Sequence, residues 1–72
     1  MARLRPVLQK EVIRILENNG FRLVRTASHM TFKRTKADGT VLTTWVPLHR
    51  EVTVFVIQHM IRQTEKNRSE FE

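Results

Sequence analysis

The chain has 72 residues, no cysteine, and 13 Lys plus Arg against 7 Asp plus Glu, which gives a formal charge of +6. A chain of this length buries only roughly 60% of its unfolded surface, which excludes two separate cores and a large enclosed active-site cavity. The lack of cysteine excludes disulfides and cysteine-ligated metal, and it suits a reducing compartment. The charge favours a polyanionic partner such as RNA, DNA or an acidic protein, although many small basic domains bind no nucleic acid.

Neither a targeting segment nor a membrane span is visible in the sequence. The N-terminal stretch "MARLRPVLQKEV" has no apolar signal core, and no stretch approaches the roughly 20 apolar residues needed to cross a bilayer. We therefore expect a cytoplasmic protein with no membrane partner, folded as a single domain over residues 1–72. The core is predicted over about residues 6–64, and the charged tail 65–72 is predicted to fray.

The first predicted element is an amphipathic helix from Pro6 to Asn19. Its apolar residues recur at helical spacing and are Leu8, Val12, Ile15 and Leu16. Pro6 suits the first helical turn, where its missing N–H costs nothing. Asn19 and Gly20 are residue types that tolerate the left-handed conformation at which helices end.

Three strands are predicted next, because the apolar spacing changes to the alternation of a β-strand. The first two cover residues 21–27 and 29–35, and their predicted inward residues are Phe21, Leu23, Met30 and Phe32. Asp38-Gly39 is a strong hairpin signal, and a third run over 40–47 ends at Pro47, which cannot donate to a sheet ladder. The three strands are predicted to form an antiparallel meander.

The segment 51–66 is ambiguous, since its Val and Ile content favours a strand and its length and spacing favour a helix. We interpret it as a helix because of its length. Its predicted inward residues are Val56, Ile57, Met60 and Ile61. Phe55 and His59 then lie one turn apart on the outward side, where Phe55 either covers a helix end or belongs to a partner-binding patch.

The predicted fold class is α+β, in the order helix-strand-strand-strand-helix, with both helices on one face of the three-stranded antiparallel sheet. Strand alternation would then place His29, Thr31 and Lys33 together on the open face, beside Thr43 and Trp45. Such a mixture can hold a phosphate, stack a base and move a proton. For Trp45 the alternative of packing into the core is slightly favoured, because tryptophan is heavily buried on average.

His29 is the candidate catalytic residue. Histidine accepts and donates protons near neutral pH, which is what activation of a ribose 2′-hydroxyl requires, and DNA has no such hydroxyl. The alternative is a solvated surface histidine beside a turn. A serine nucleophile at Ser28 is not supported, since adjacent strand residues point to opposite faces. The spacing of His29, His49 and His59 matches no familiar metal site.

An ordered series of motifs resembles a known family. The segments "EVIRILENNGFRLVRTASHMTFKR", "VPLHREV" and "IRQ", within residues 7–63, are similar to the HicA-type mRNA interferase toxins of bacterial and archaeal toxin–antitoxin pairs. The resemblance implies a fold of the double-stranded-RNA-binding type, metal-independent RNA cleavage without a cofactor, a catalytic His29 and a HicB-type antitoxin partner. The chain differs from the usual pattern at Ala27, where glycine is common, at Met30, where a second histidine is frequent, and at the last helix, which lacks an initial glycine.

On this basis the expected function is that of a ribonuclease toxin in which His29 is the general acid and base. The predicted RNA-binding residues are Arg25, Ser28, Lys33, Arg34 and Trp45, and the predicted partner-binding residues are Phe55 and His59. His49 is either a second acid or base or, preferably, a structural loop residue. Two further hypotheses stay open: a non-catalytic RNA-binding module on the same scaffold, and a protein-interaction domain whose exposed Phe55 and basic surface bind an acidic partner.

Overall fold

The computed structural model describes residues 4–71, so the ends of the predicted domain, residues 1–3 and 72, lie outside the described part. Within it, the change from helical to alternating apolar spacing near residue 20 produces one helix, a three-stranded antiparallel sheet and a second helix. The elements are β1 Val7–Leu8, α1 Gln9–Asn18, β2 Arg22–Thr26, β3 His29–Thr35, β4 Val41–Pro47, β5 Glu51–Val52, α2 Val54–Thr64 and a 3₁₀ turn Arg68–Phe71. This confirms the predicted α+β class and is consistent with a fold of the double-stranded-RNA-binding type.

The start of α1 differs from the prediction, because Pro6 is not in its first turn. Residues 7 and 8 are extended and pair antiparallel with residues 51 and 52. The helix begins at Gln9, whose backbone N–H donates to the carbonyl of Arg50 at 2.8 Å. This pairing between distant segments satisfies backbone groups that a helix terminus leaves without an intrahelical partner. The predicted stop is confirmed, with Gly20 following the helix at φ +87°.

The sheet has the order β2-β3-β4, with β3 in the centre. β3 and β4 pair without interruption from His29 opposite Pro47 to Thr35 opposite Val41. The predicted hairpin turn is present between them, with Gly39 at φ +90°. The sheet therefore has the predicted meander topology, and β4 ends at Pro47 as expected.

β2 contains an irregularity that the sequence did not predict. Leu23 pairs with Phe32 and Arg25 pairs with Thr31, so Val24 is an extra residue in the edge strand, as in a β-bulge. Leu23, opposite the buried Phe32, lies on the helix side as predicted, but it is 49% exposed and Val24 is 54% exposed, so the expected burial of Leu23 is wrong. The reason is that both helices pack chiefly against β4, at the other edge of the sheet, and leave β2 uncovered.

The hydrophobic core lies between the sheet and the two helices. Its buried residues are Val12, Leu16, Phe21, Met30, Phe32, Leu42, Val46, Val52, Ile57, Met60 and Phe71. The last of these corrects the prediction of a frayed tail, since Phe71 is only 1% exposed and the 3₁₀ turn packs against both helices. A buried phenylalanine removes a large apolar area from water, which offsets the entropy lost when the short polar tail becomes ordered.

The helical interpretation of segment 51–66 is confirmed for its central part. α2 begins at Val54 rather than at residue 51, because residues 51 and 52 pair with β1. Thr53 caps it by accepting the backbone N–H of Val56. Ile57 and Met60 are buried as predicted. Among residues 4–71, no helix has the length and apolar character that a membrane crossing requires.

Candidate functional site

The face of the sheet opposite the helices is open to solvent and rich in polar and basic side chains. Strand parity places every second residue of β3 and β4 there, as predicted, because Met30 and Phe32 are buried on the helix side. Arg22 and Arg25 of β2 join this face through their pairing with Lys33 and Thr31. We call this surface the open sheet face, and its residues are Arg22, Arg25, His29, Thr31, Lys33, Thr43 and Trp45.

Trp45 lies on the open sheet face and not in the core, so the favoured expectation that it packs inside is wrong. It is half-buried, and its ring centroid lies 5.4 Å from that of His29, with the two ring planes inclined by 59°. The cause is strand parity: Thr44 and Val46, its neighbours, are buried on the helix side, so Trp45 must point to the other face. His29 and Trp45 therefore form an aromatic pair on the open sheet face.

His29 is exposed at the first position of β3, directly after the two-residue connection from β2. Within this connection the N–H of Ala27 donates to the carbonyl of His29 at 3.0 Å. The Oγ atom of Ser28 lies 3.4 Å from Nδ1 of His29, a long contact in which the hydroxyl can act as donor or acceptor. Opposite His29, the carbonyl of Pro47 accepts the side-chain amide of Gln9 at 2.8 Å, which fixes this end of the sheet to α1.

The alanine at position 27 does not require a glycine-like backbone. Apart from glycines, Glu65 is the one residue with positive φ in the described range 4–71. Ala27 therefore has a conformation that any L-amino acid can adopt, and the turn that presents His29 forms without glycine.

The open sheet face is strongly basic and contains no carboxylate. The sequence has no Asp or Glu between Glu17 and Asp38, and β4 has none either. Arg22, Arg25 and Lys33 make no ion pair with any described residue. The positive potential of this surface is therefore not neutralised by neighbouring side chains.

Arg34 is not brought together with His29. It pairs with Leu42, which is buried on the helix side, and its side chain runs beside Gly20 at the margin of the sheet. Because it has the opposite strand parity from Lys33, Arg34 does not share the face of the imidazole.

The other two histidines, His49 and His59, do not belong to the open sheet face. His49 is exposed after β4 and makes no hydrogen bond or ion pair with the described residues. His59 lies on the outward side of α2, where its ring contacts Phe55 edge-on at a centroid distance of 4.8 Å. The guanidinium of Arg62 donates to Nδ1 of His59 at 2.9 Å, since arginine has no acceptor. We call Phe55, His59 and Arg62 the α2 patch, in which Phe55 is 69% exposed.

No group of three or more His, Cys, Asp or Glu side chains is placed to hold a metal ion within the described residues. Arg22 and Val24 were not among the predicted site residues. They line a shallow groove of about 490 Å³ together with Gly20, Lys33, Arg34, Thr35 and Val41, so the predicted residues Lys33 and Arg34 meet there. The sequence could have predicted the position of Arg22, because this residue alternates with the apolar Phe21 and Leu23. That alternation places Arg22 on the same face as Lys33.

Comparison of the chain with curated proteins and with solved structures gives no significant match. The family model described as the HicA toxin of bacterial toxin–antitoxin systems matches residues 10–65 of the 72-residue chain. The match spans both helices except the first residue of α1, and it includes the whole three-stranded sheet with His29. The chain therefore belongs to the HicA toxin family of bacterial toxin–antitoxin systems.

Proposed function

We propose that this member of a toxin family is an endoribonuclease that cleaves RNA without a metal and uses His29 as its general acid and base. The observation that supports this most directly is the exposed imidazole of His29, which contacts Trp45 and shares a face with unpaired cationic side chains. The RNA substrate places the proposed activity in the cytoplasm. Family membership supports a toxin role and implies an antitoxin partner.

In the proposed reaction, His29 removes the proton from a ribose 2′-hydroxyl, and the 2′-oxygen attacks the adjacent phosphorus. The bond between phosphorus and the 5′-oxygen breaks, which leaves a 2′,3′-cyclic phosphate on one product and a 5′-hydroxyl on the other. The departing 5′-oxygen takes a proton from the imidazolium of His29, directly or through a water molecule, and this restores the neutral histidine. DNA lacks the attacking hydroxyl and is not a substrate.

Arg25 is the cation best placed to stabilise charge on the cleaved phosphate. It pairs with Thr31, which is two residues, or about 7 Å, from His29 along β3. Lys33 is four residues from His29, or about 13 Å, and Arg34 is one residue further, with its side chain beside Gly20 at the margin of the sheet. Trp45 offers a ring on which a base next to the cleaved bond can stack.

The proposal is tested with purified protein, free of antitoxin, and labelled RNA in a buffer that contains a chelator. We expect the wild-type protein to release fragments with cyclic phosphate ends and His29→Ala to be about 10²–10⁴-fold slower. His49→Ala is the matched control, because this residue is also exposed and belongs to no described network. A His29→Ala protein that cuts at the wild-type rate would exclude His29 from the mechanism.

A non-catalytic RNA-binding module is the second candidate function. The observation in its favour is Met30, which stands where relatives often have a second histidine and which is buried on the helix side. β3 therefore contains no second histidine beside His29. This alternative predicts salt-sensitive RNA binding without cleavage, since phosphate contacts release counterions.

We also propose that the partner is a HicB-type antitoxin and that it contacts the α2 patch. Phe55 is 69% exposed and adjoins the ring of His59, which binds Arg62, and aromatic side chains and arginine are enriched at protein interfaces. The patch lies on the helix side of the molecule, away from the open sheet face. An antitoxin that contacts both surfaces must extend around the edge of the domain.

A further inference from the structure

Two like charges face each other at one position of the open sheet face. Arg22 of β2 and Lys33 of β3 are direct cross-strand partners, and neither has an ion pair with a carboxylate of the described chain. Directly opposed like charges are unfavourable in an antiparallel sheet. An anion bound between the two side chains would remove this repulsion, so the pair is a candidate anion-binding position.

The surroundings of this pair suit a nucleotide better than a simple ion. The bulge in β2 turns Val24 out beside Arg22, and Val41 of β4 lies on the other side of Lys33. Together they line the groove of about 490 Å³, whose other lining residues are Thr35 and, at its margin, Gly20 and Arg34. A positively charged groove that follows the backbone is typical of surfaces that bind single-stranded nucleic acid, and the two valines add apolar area against which a ribose can pack.

The groove is continuous with the proposed cleavage site. Thr31 lies between His29 and Lys33 on the same side of β3, and Arg25 pairs with Thr31. An extended strand of RNA that follows β3 can therefore contact His29, then Arg25, then the pair of Arg22 and Lys33 about 13 Å away. No acidic side chain interrupts this path, since the open sheet face has none.

We propose that Arg22 and Lys33 form a second phosphate-binding subsite for the RNA strand that is cleaved at His29, and that this subsite makes longer strands better substrates than a dinucleotide. The inference rests on the proposed function, because it takes the occupant of the groove to be the substrate itself. A phosphate held here is about 13 Å from His29 along β3 and is not the phosphate of the bond that breaks. The subsite therefore affects binding of the substrate and not the chemical step.

The test measures binding of 2′-O-methyl oligonucleotides, which cannot be cleaved because the attacking hydroxyl is blocked. A hexanucleotide and a dinucleotide are compared on the wild-type protein, on Arg22→Gln/Lys33→Gln, and on the control Lys10→Gln/Arg14→Gln. The control removes the same charges from exposed positions of α1, on the other side of the sheet.

We expect the variant of Arg22 and Lys33 to bind the hexanucleotide about tenfold more weakly for each lost charge-assisted bond. The slope of log affinity against log salt should fall by about 0.7 for each lost contact. Binding of the dinucleotide should not differ between this variant and the α1 control. A hexanucleotide that binds wild type no more tightly than the dinucleotide, or a double variant that equals the control, would overturn the subsite.

Cleavage kinetics separate this inference from the proposed function. If the protein cuts RNA, the subsite variant should raise KM for a hexanucleotide substrate and leave kcat unchanged. If the protein cuts nothing, the nuclease proposal fails, and the comparison of the two oligonucleotides still decides whether the subsite exists. An acidic peptide that displaces the hexanucleotide and binds the groove more tightly would instead assign the groove to a protein partner.

If the double variant does not fold, an NMR titration of the wild-type protein still tests the subsite. Titration of the wild type with the hexanucleotide should shift the NMR amide signals of Arg22, Val24 and Lys33, and the dinucleotide should shift only signals near His29. If the hexanucleotide leaves the signals of β2 and the groove unchanged, the proposed subsite is wrong.

Discussion

The imidazole of His29 and the indole of Trp45 lie on neighbouring strands with their ring centroids 5.4 Å apart. His29 pairs with Pro47 and Trp45 with Thr31, so the two rings meet diagonally across the ladder. Long side chains reach each other across such a diagonal. The contact restricts the orientation of the imidazole at an otherwise exposed strand end, and it puts a stacking surface next to the proposed general base.

Trp45→Ala should weaken binding of non-cleavable RNA by about 1–3 kcal/mol, because one base loses its stacking partner. Trp45→Phe should retain part of this energy, and Thr43→Ala, on the same face of β4, serves as the control. Fluorescence anisotropy with labelled oligonucleotides measures the affinities. A large loss of folding stability in Trp45→Ala with unchanged RNA affinity would instead assign Trp45 a structural role.

Phe71→Ala should lower the free energy of unfolding by about 3–5 kcal/mol, because it removes a buried aromatic side chain and leaves a cavity. Phe55→Ala, the same substitution at an exposed position, should change it by no more than about 0.5 kcal/mol. Urea denaturation of the two variants and the wild type provides the comparison. Equal stabilities for the two variants would mean that the tail does not contribute to the core.

Phe55→Ala should weaken binding of the antitoxin by about 2 kcal/mol or more if the α2 patch is part of the interface, because exposed aromatics are frequent hot spots. His59→Ala should cost less, since it removes one side of the ring contact. Gln58→Ala, at another exposed position of α2, should have little effect. Calorimetry with the antitoxin measures the affinities, and RNA cleavage by the free protein should be unchanged in all three variants.

Asp38→Asn should reduce stability at neutral pH and have less effect in acid. The backbone N–H of Thr40 donates to the carboxylate of Asp38 at 2.9 Å and lowers the pKa of this group below its ordinary value of 3.8. A carboxyl whose pKa is lowered by folding contributes stability above the unfolded pKa, and this stability is lost as the pH falls through the folded pKa. Urea denaturation at neutral pH and below pH 3.8 checks this, with Glu17→Gln as the control. A difference between wild type and Asp38→Asn that stays constant with pH would contradict this account.

The faces of β3 and β4 were predictable because a strand has a period of two residues and one side of this sheet is buried. A shift of one residue would expose Met30 and Phe32 to water, so their apolar character fixes the outward position of His29. The same rule determines the position of Trp45. The average burial of tryptophan is a weaker guide than the parity of the strand that contains it.

The predictions that the structure corrects concern residues whose environment depends on segments far away in the chain. Pro6 does not begin the helix, since residues 7 and 8 pair with residues 51 and 52. Leu23 is exposed because no helix covers β2, and Phe71 is buried because the tail returns to the two helices. Local spacing contains no information about such contacts, since each depends on a partner far away in the chain.

From the sequence alone one obtains the order of the elements, the basic character of the chain, the lack of acidic residues between Glu17 and Asp38 and the face on which His29 lies. These features follow from local periodicity and from residue types. The folded chain was needed to show that Arg22 lies opposite Lys33 and that Arg34 is separated from His29. The physical reason is that strand register, including the bulge at Val24, is set by pairing between strands and by which part of the sheet the helices cover.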